Sequence, residues 1–476
     1  MHPLTPHQDE RGARDTRRQL KELRPGPLHA TASRGPMEEG KSKPGNGRLR
    51  REVGLPGAVL LGLGSMVGTG VFVSVGIAAG VAGPSVLAAT LLAALVATAN
   101  GLSSAQLASA HPVSGGTYEY GYIWLSPVFG FSAGWMFMLA KSASAATAAL
   151  GLSGYLLDLF GLGGGVWQVV VAVAGAVAIT AFVAGGVRRS NRGNALVVGL
   201  ALAGLLLLMT KALPVALSQG LGRFQPFLPS GGEGGGMGAL LHGSALMFVA
   251  FTGYGRIATL GEEVRDPAQV IPRAIILTVG VVTLLYLGVA ASGVGVLGAS
   301  GFGAAAERTA APLEAVAAAL HLPWLAWVLG LSALAAMAGV LLNLVLGLSR
   351  VLLAMARRGD APGFLARVDQ ERASPVASVW TCGLLVAALS LLGDVRTTWS
   401  FSAFTVLVYY AITNLAALRL PPHQRLFPRW IPALGLAGCL GLAFWVEREI
   451  WLVGLALLLV GVAGHLAHRR FPARNG

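Results

Sequence analysis

The chain has 476 residues, 54% of them hydrophobic and only 12% charged, with a mean hydropathy of +0.66. Soluble domains carry about 25% charged residues, so a soluble fold is excluded. The net charge of +14 follows membrane topology, as set out below, which excludes a nucleic-acid partner, and two cysteines in apolar stretches, Cys382 and Cys439, exclude a disulfide framework or a cysteine metal site.

Residues 1–52 are rich in Arg, Lys, Pro and Gly and almost free of aromatics. Such a segment cannot bury a core and is expected to be a disordered basic tail. It shows no charged-then-apolar pattern of a cleavable signal peptide. Twelve apolar segments follow, near 57–80, 86–108, 127–151, 166–186, 195–217, 239–261, 273–298, 324–349, 376–393, 399–419, 429–446 and 450–468. Crossing a bilayer takes about 20 such residues, and the short alternating segments of a membrane barrel are missing. The expected fold class is therefore an all-α polytopic membrane protein with twelve transmembrane helices. Prolines such as Pro84, Pro127, Pro267, Pro323 and Pro375 fall at segment ends, where a residue without an N–H does least harm. Residues 230–236 read as a flexible glycine-rich linker. Residues 302–322 read as a longer loop with a short helix around 313–320.

Positive charge orients the segments. With the tail placed in the cytoplasm, 28 of the 35 Lys and Arg fall on the cytoplasmic side and four, Arg223, Arg308, Arg396 and Arg448, on the other. Both termini are expected to be cytoplasmic. Lys141, Lys211 and Arg256 are left inside apolar segments.

The first segment contains Gly62, Gly64, Gly68 and Gly70 within nine residues. Each glycine costs a helix interior roughly 1 kcal/mol relative to alanine, so a break is expected here. Backbone groups freed at mid-membrane are tolerated only where they face protein, water or a ligand. The sixth segment reads Phe248-Val249-Ala250-Phe251-Thr252-Gly253-Tyr254-Gly255-Arg256 and combines mid-span glycines with a charge. If segments 1–5 and 6–10 are two repeats, both interrupted helices stand first in their repeat, and an odd repeat length inverts the second half. Paired interrupted helices at corresponding positions point to a transporter site at the midplane. Half-helix N-termini suit a carboxylate, and freed carbonyls suit an amine. Small residues also serve close helix packing. The glycines of these two segments do not form a phosphate loop, because no Lys-Ser/Thr follows them.

These stretches resemble the amino acid–polyamine–organocation superfamily of permeases. The resemblance lies in Gly64-Ser65-Met66-Val67-Gly68-Thr69-Gly70-Val71-Phe72, in residues 111–120, in Phe251-Thr252-Gly253-Tyr254 with Glu262-Glu263-Val264-Arg265-Asp266-Pro267, and in residues 349–362. It covers roughly residues 54–470. It implies two inverted five-helix repeats of the LeuT-like architecture plus two further helices, with helices 1 and 6 unwound. On this chain that gives a transport core at 53–420, with repeats near 53–217 and 239–420, and a C-terminal part at 421–476. It implies secondary transport of amino acids by symport or exchange, with polyamines or other organic amines as the alternative substrates. No cofactor and no metal is expected, and the expected partners are an amino acid, the lipid bilayer and protons. The carboxylate-binding backbone would fall on Gly68, Thr69 and Gly70, with Ser65, Met66 and Val67 beside it. The opposite wall would fall on Phe248, Ala250, Phe251, Thr252, Gly253 and Tyr254, with the Phe251 ring as a gate.

Some proton-coupled members carry a lysine early in helix 5. Residues 194–200 have none, and Lys211 lies three turns further on. Lys141, mid-way along the third segment, is the candidate replacement. It reads either as a titratable coupling group or as a lysine held by helix carbonyls and water. Arg256 keeps its proton and reads as a gating or structural cation, with Glu262 and Glu263 as gate partners. Asn343, Tyr409 and Asn414 read as interhelical hydrogen-bonders. The metalloenzyme motif of a membrane-embedded enzyme, His-Glu-x-x-His, does not occur, and a channel would not need two interrupted helices.

Overall fold

The structure, a computed structural model, describes residues 53–111, 115–162, 164–186, 191–218, 221–229, 235–259, 264, 266–369 and 374–470. The basic tail and the gate candidates Glu262 and Glu263 lie outside the described residues.

Sixteen α-helices occur among the described residues. They are α1 Leu55–Met66, α2 Val75–Ala82, α3 Val86–Ala110, α4 Thr117–Trp124, α5 Pro127–Leu159, α6 Val166–Ala184, α7 Asn191–Ser218 and α8 Gly235–Phe251. They continue as α9 Gly255–Ala258, α10 Pro267–Thr309, α11 Pro312–Ala319, α12 Pro323–Arg358, α13 Val376–Ser390, α14 Val395–Leu418, α15 Trp430–Ala443 and α16 Arg448–Arg470. The described residues form no sheet, only isolated bridges between Val53 and Val264 and between Asp369 and Ser374.

The boundaries follow the sequence chemistry. Helices α1, α5, α10, α11 and α12 each begin with a proline in the first turn, a position whose N–H has no intrahelical partner. Asp394 caps α14 by accepting from the N–H groups of Arg396 and Thr397. Helix α12 stops at Gly359, which takes a left-handed conformation (φ +86°).

Every expected apolar segment coincides with a helix, the first with α1 and α2 together and the sixth with α8 and α9 together. Eight of the described helical stretches are long and apolar enough to cross a membrane, and α1, α13 and α15 are shorter apolar helices. Helix α5 has 33 residues but carries Lys141 and Asp158. The expected loop at 302–322 is largely helical. Helix α10 kinks at Gly298 (φ +73°, ψ +160°) and runs on to Thr309 before α11 begins.

Helix α5 lies at the centre, packed most extensively against α12 and α14, while α10 covers α1, α2, α3 and α7. These contacts place the two interrupted helices face to face between α5, α10, α12 and α14.

Candidate substrate site

Helix α1 ends at Met66, where Val67 turns to an extended conformation (ψ +96°). Thr69 returns to helical dihedrals and opens a π turn over Gly70–Ser74. The Val67 N–H closes the α1 ladder on Leu63 O, and the next ladder starts with Val71 and Phe72 N–H on Gly68 O. The N–H groups of Gly68, Thr69 and Gly70 therefore precede the first bonds of the second half-helix, where donors lack intrahelical acceptors. Thr69 Oγ1 is buried without a hydrogen-bond partner.

The sixth segment differs from expectation. Helix α8 does not unwind. It tightens into one 3₁₀ turn, Thr252–Tyr254, with helical dihedrals on both sides. Side chains satisfy the carbonyls that the tightened turn loosens: Thr252 Oγ1 donates to Val249 O (2.7 Å) and Tyr286 Oη to Ala250 O (3.1 Å). The same Tyr286 hydroxyl also reaches Met66 O at 2.8 Å, so one phenol of α10 holds both interruptions. The two chains touch directly. A Cβ on Gly253 would lie 2.6 Å from Ser65 O, and one on Gly70 would lie 2.7 Å from Tyr286 Oη and 2.8 Å from Ala250 Cβ. Only glycine permits this approach.

A cavity of about 280 Å³ sits beside this crossing. Ser65, Met66, Thr69 and Gly70 line it from the first interruption, and Ala250, Thr252, Gly253 and Arg256 from the second. Lys141 lines it from α5 and donates from Nζ to Thr252 Oγ1 at 2.9 Å.

The amino acid permease family model matches residues 57–467. The chain belongs to the amino acid permease family. An uncharacterized transporter of Mycobacterium tuberculosis is 41% identical over 90% of this chain and 93% of its own length. A branched-chain amino acid permease of Bacillus subtilis is 30% identical over 87% of this chain and 93% of its own. A methylthioribose transporter of the same organism is 26% identical over 91% and 97%. Family and relatives are transporters, not enzymes, and the protein is a multi-pass membrane protein.

In this permease five of the expected wall residues face elsewhere. Gly68 is pressed on α12, where a Cβ would meet Val340 Cγ2 at 2.5 Å. Val67 is buried. The Phe248 and Tyr254 rings pack on Tyr410, with centroids 5.8 and 5.2 Å apart, and the Phe251 ring packs on Tyr286 at 5.1 Å. The Phe251 ring thus lies in the core between α8 and α10, away from the cavity that it was expected to gate.

The permease cavity has walls that the motifs did not mark. Helix α12 supplies Val340, Asn343, Leu344 and Gly347, and α14 supplies Trp399, Tyr409 and Tyr410. Asn343 and Tyr409 thus line the cavity, whereas Asn414 bridges helices as expected, donating to Asn100 Oδ1 (2.5 Å) and Tyr410 O (2.9 Å). The available signal was spacing: Phe137, Lys141 and Ser144 share one face of α5, as residues at i, i+4 and i+7 do. The cavity mouth carries Gly115, Gly116, Thr259 and Arg350. Arg350 lies near the C-terminal end of α12, a helix of 36 residues, about 54 Å long at 1.5 Å per residue. No described residue of α11 or of the start of α12 lines the cavity, so that face is shut off from it. Among the described residues no Asp or Glu lines the cavity, while Lys141, Arg256 and Arg350 do.

Proposed function

We propose that this permease is a secondary carrier that moves an amino acid across the membrane by alternating access, and that the cavity beside the two interruptions is its substrate site. One observation carries the reading. The N–H groups of Gly68, Thr69 and Gly70 begin a half-helix, Thr69 with its unpartnered hydroxyl and Gly70 line the cavity, and such an end attracts a carboxylate. The carbonyls of the Thr252–Tyr254 turn lie across from it and suit the amine.

The twelve helical segments are read as twelve crossings, the first ten as two inverted repeats of five and the last two as an addition. Both termini are assigned to the cytoplasm by the charge bias. The cavity then opens to the cytoplasm, and the structure corresponds to an inward-facing state. Lys141 is assigned as the coupling group, because its ammonium bonds the turn that would hold the amine. Arg256 is assigned to the inner gate.

The lining favours a neutral or acidic amino acid over a polyamine. Cationic ligands need a carboxylate, and the described lining residues include none. The branched-chain specificity named for the Bacillus relative agrees with a neutral substrate.

Counterflow of labelled amino acids into proteoliposomes tests the proposal. Saturable exchange of a neutral or acidic amino acid is expected. Exchange of polyamines alone would replace the reading with the organic-amine alternative.

A further inference from the structure

At the shut face, α11 carries a buried acid. Glu314 is 3% exposed, and its Oε1 has no hydrogen-bond partner. The charged neighbour that acts on it is Asp158, at the end of α5. Asp158 is exposed and shares with Glu314 a surface recess of about 420 Å³. Helix α12 presses on the pair from the other side: a Cβ on Gly330 would lie 2.4 Å from Glu314 Oε1, so no side chain there can serve as a counter-ion.

Two ionised carboxylates offer each other only acceptors and repel at close range, so the pair is satisfied only when one proton sits between them. Among the described residues no Lys or Arg lines the recess. From α5 the neighbours are Asp158 and the Tyr155 phenol. His321, exposed at the turn between α11 and α12, is the other titratable group lining the recess. At the end of α10, Arg308 folds back on Ala304 O and Glu307 pairs with Arg396. From α12 only apolar side chains and Gly330 face the pair.

The site is tied to the first interruption. Tyr155 Oη donates to Phe72 O (2.8 Å), in the π turn after the break, and accepts from Leu313 N–H (3.4 Å), at the start of α11. A shift of that half-helix is therefore felt at the residue next to Glu314.

We propose that Glu314 and Asp158 form a proton-binding site that latches α11 over the shut face, the lid closing with one proton held between the carboxyls and releasing it when α11 lifts. Only the lifting of α11 rests on the alternating-access reading. Burial, with the nearby Asp158 carboxylate added, pushes the Glu314 carboxyl up to about 10. A solvated glutamate titrates near about 4.3. Closing thus takes up a proton between those values. Acid favours the shut lid, and the advantage is lost as pH rises through about 10.

The test uses the full chain in nanodiscs at equal pH on both sides. Infrared difference spectra at neutral pH are expected to show the carbonyl stretch of a buried protonated carboxyl in the wild type, absent in Glu314→Gln. In a background without native cysteines, Ala317→Cys places a thiol on the buried side of α11. Its labelling by a membrane-impermeant maleimide, corrected for the reagent's own pH dependence, is expected to rise with pH by up to about tenfold per unit, the limit for one linked proton. With Glu314→Gln, which keeps the shape and stays neutral, that slope is expected to flatten. A wild type without the carboxyl band, or a corrected labelling rate independent of pH, overturns the proposal. So does a slope that survives Glu314→Gln. None of these readouts requires an amino acid, so failure here is separable from failure of counterflow.

Discussion

Lys141 of α5 and Thr252 of the turn between α8 and α9 are joined by one hydrogen bond, Nζ to Oγ1 at 2.9 Å. Thr252 Oγ1 donates its own hydrogen bond to Val249 O, which leaves its oxygen lone pairs to accept from the lysine. A cation on a central helix is thereby seated on the turn that faces the first interruption.

Replacing Lys141 with Met removes a hydrogen bond to a charged group, worth about 1.5–3 kcal/mol, or roughly 10- to 100-fold in uptake. Accumulation driven by an imposed proton gradient is expected to vanish, while counterflow, which needs no gradient, persists at a reduced rate. Lys141→Arg is expected to fail as well, because the planar guanidinium never gives up its proton. Gradient-driven uptake that survives Lys141→Met removes Lys141 from the coupling role.

Gly70→Ala puts a methyl group into the Tyr286 hydroxyl and Ala250. Overpacking of this kind costs about 1–3 kcal/mol, and here it forces the two interruptions apart. The expected result is loss of substrate binding, read by a substrate-induced thermal shift, from a protein that still elutes as a folded species. Gly199→Ala, in α7 with no atom near its would-be Cβ, serves as the control and is expected to bind normally.

Tyr286→Phe keeps the ring against Phe251 but strips the hydroxyl from Met66 O and Ala250 O. Leaving a buried acceptor without its donor costs about 1–3 kcal/mol. The melting temperature is expected to fall without loss of expression. A variant as stable as the wild type would show that water replaces the phenol.

The shut face also carries a conventional ion pair. Glu447, between α15 and α16, meets His242 at 3.2 Å and Arg396 at 3.0 Å. Burial alone would raise its carboxyl, but the close approach of His242 outweighs burial and holds it down to about 2. A depressed carboxylate stabilises the fold above its unfolded value and loses that effect as pH falls toward its folded value. Glu447→Gln is expected to lower stability by on the order of 2 kcal/mol near neutral pH. That deficit should shrink as the sample is acidified below about pH 4, as read by melting curves at matched ionic strength.

Much of the fold was legible because membrane helices announce themselves by length and apolarity. The first interruption was legible because four glycines within residues 62–70 defeat helix propensity. The cavity walls were not. A helix apolar all round carries no periodicity to mark its inward face, so Asn343 of α12 and Tyr409 of α14 looked like bridges between helices. Residues 248–254 could not all face one cavity, because successive helical residues point about 100° apart. Ala250, Thr252 and Gly253 turn inward, and Phe248, Phe251 and Tyr254 turn to the core. The pair of Glu314 and Asp158 joins residues remote in sequence, and no local pattern couples them.

The central claim is that backbone N–H groups of Gly68, Thr69 and Gly70 receive the carboxylate of an amino acid. The most direct measurement compares binding of a transported amino acid with that of its carboxamide, which keeps the amine and the side chain but loses the charge. The account predicts a loss of at least about tenfold with the carboxamide, the worth of one charged hydrogen bond at its lower bound. Equal affinity for the two would contradict it.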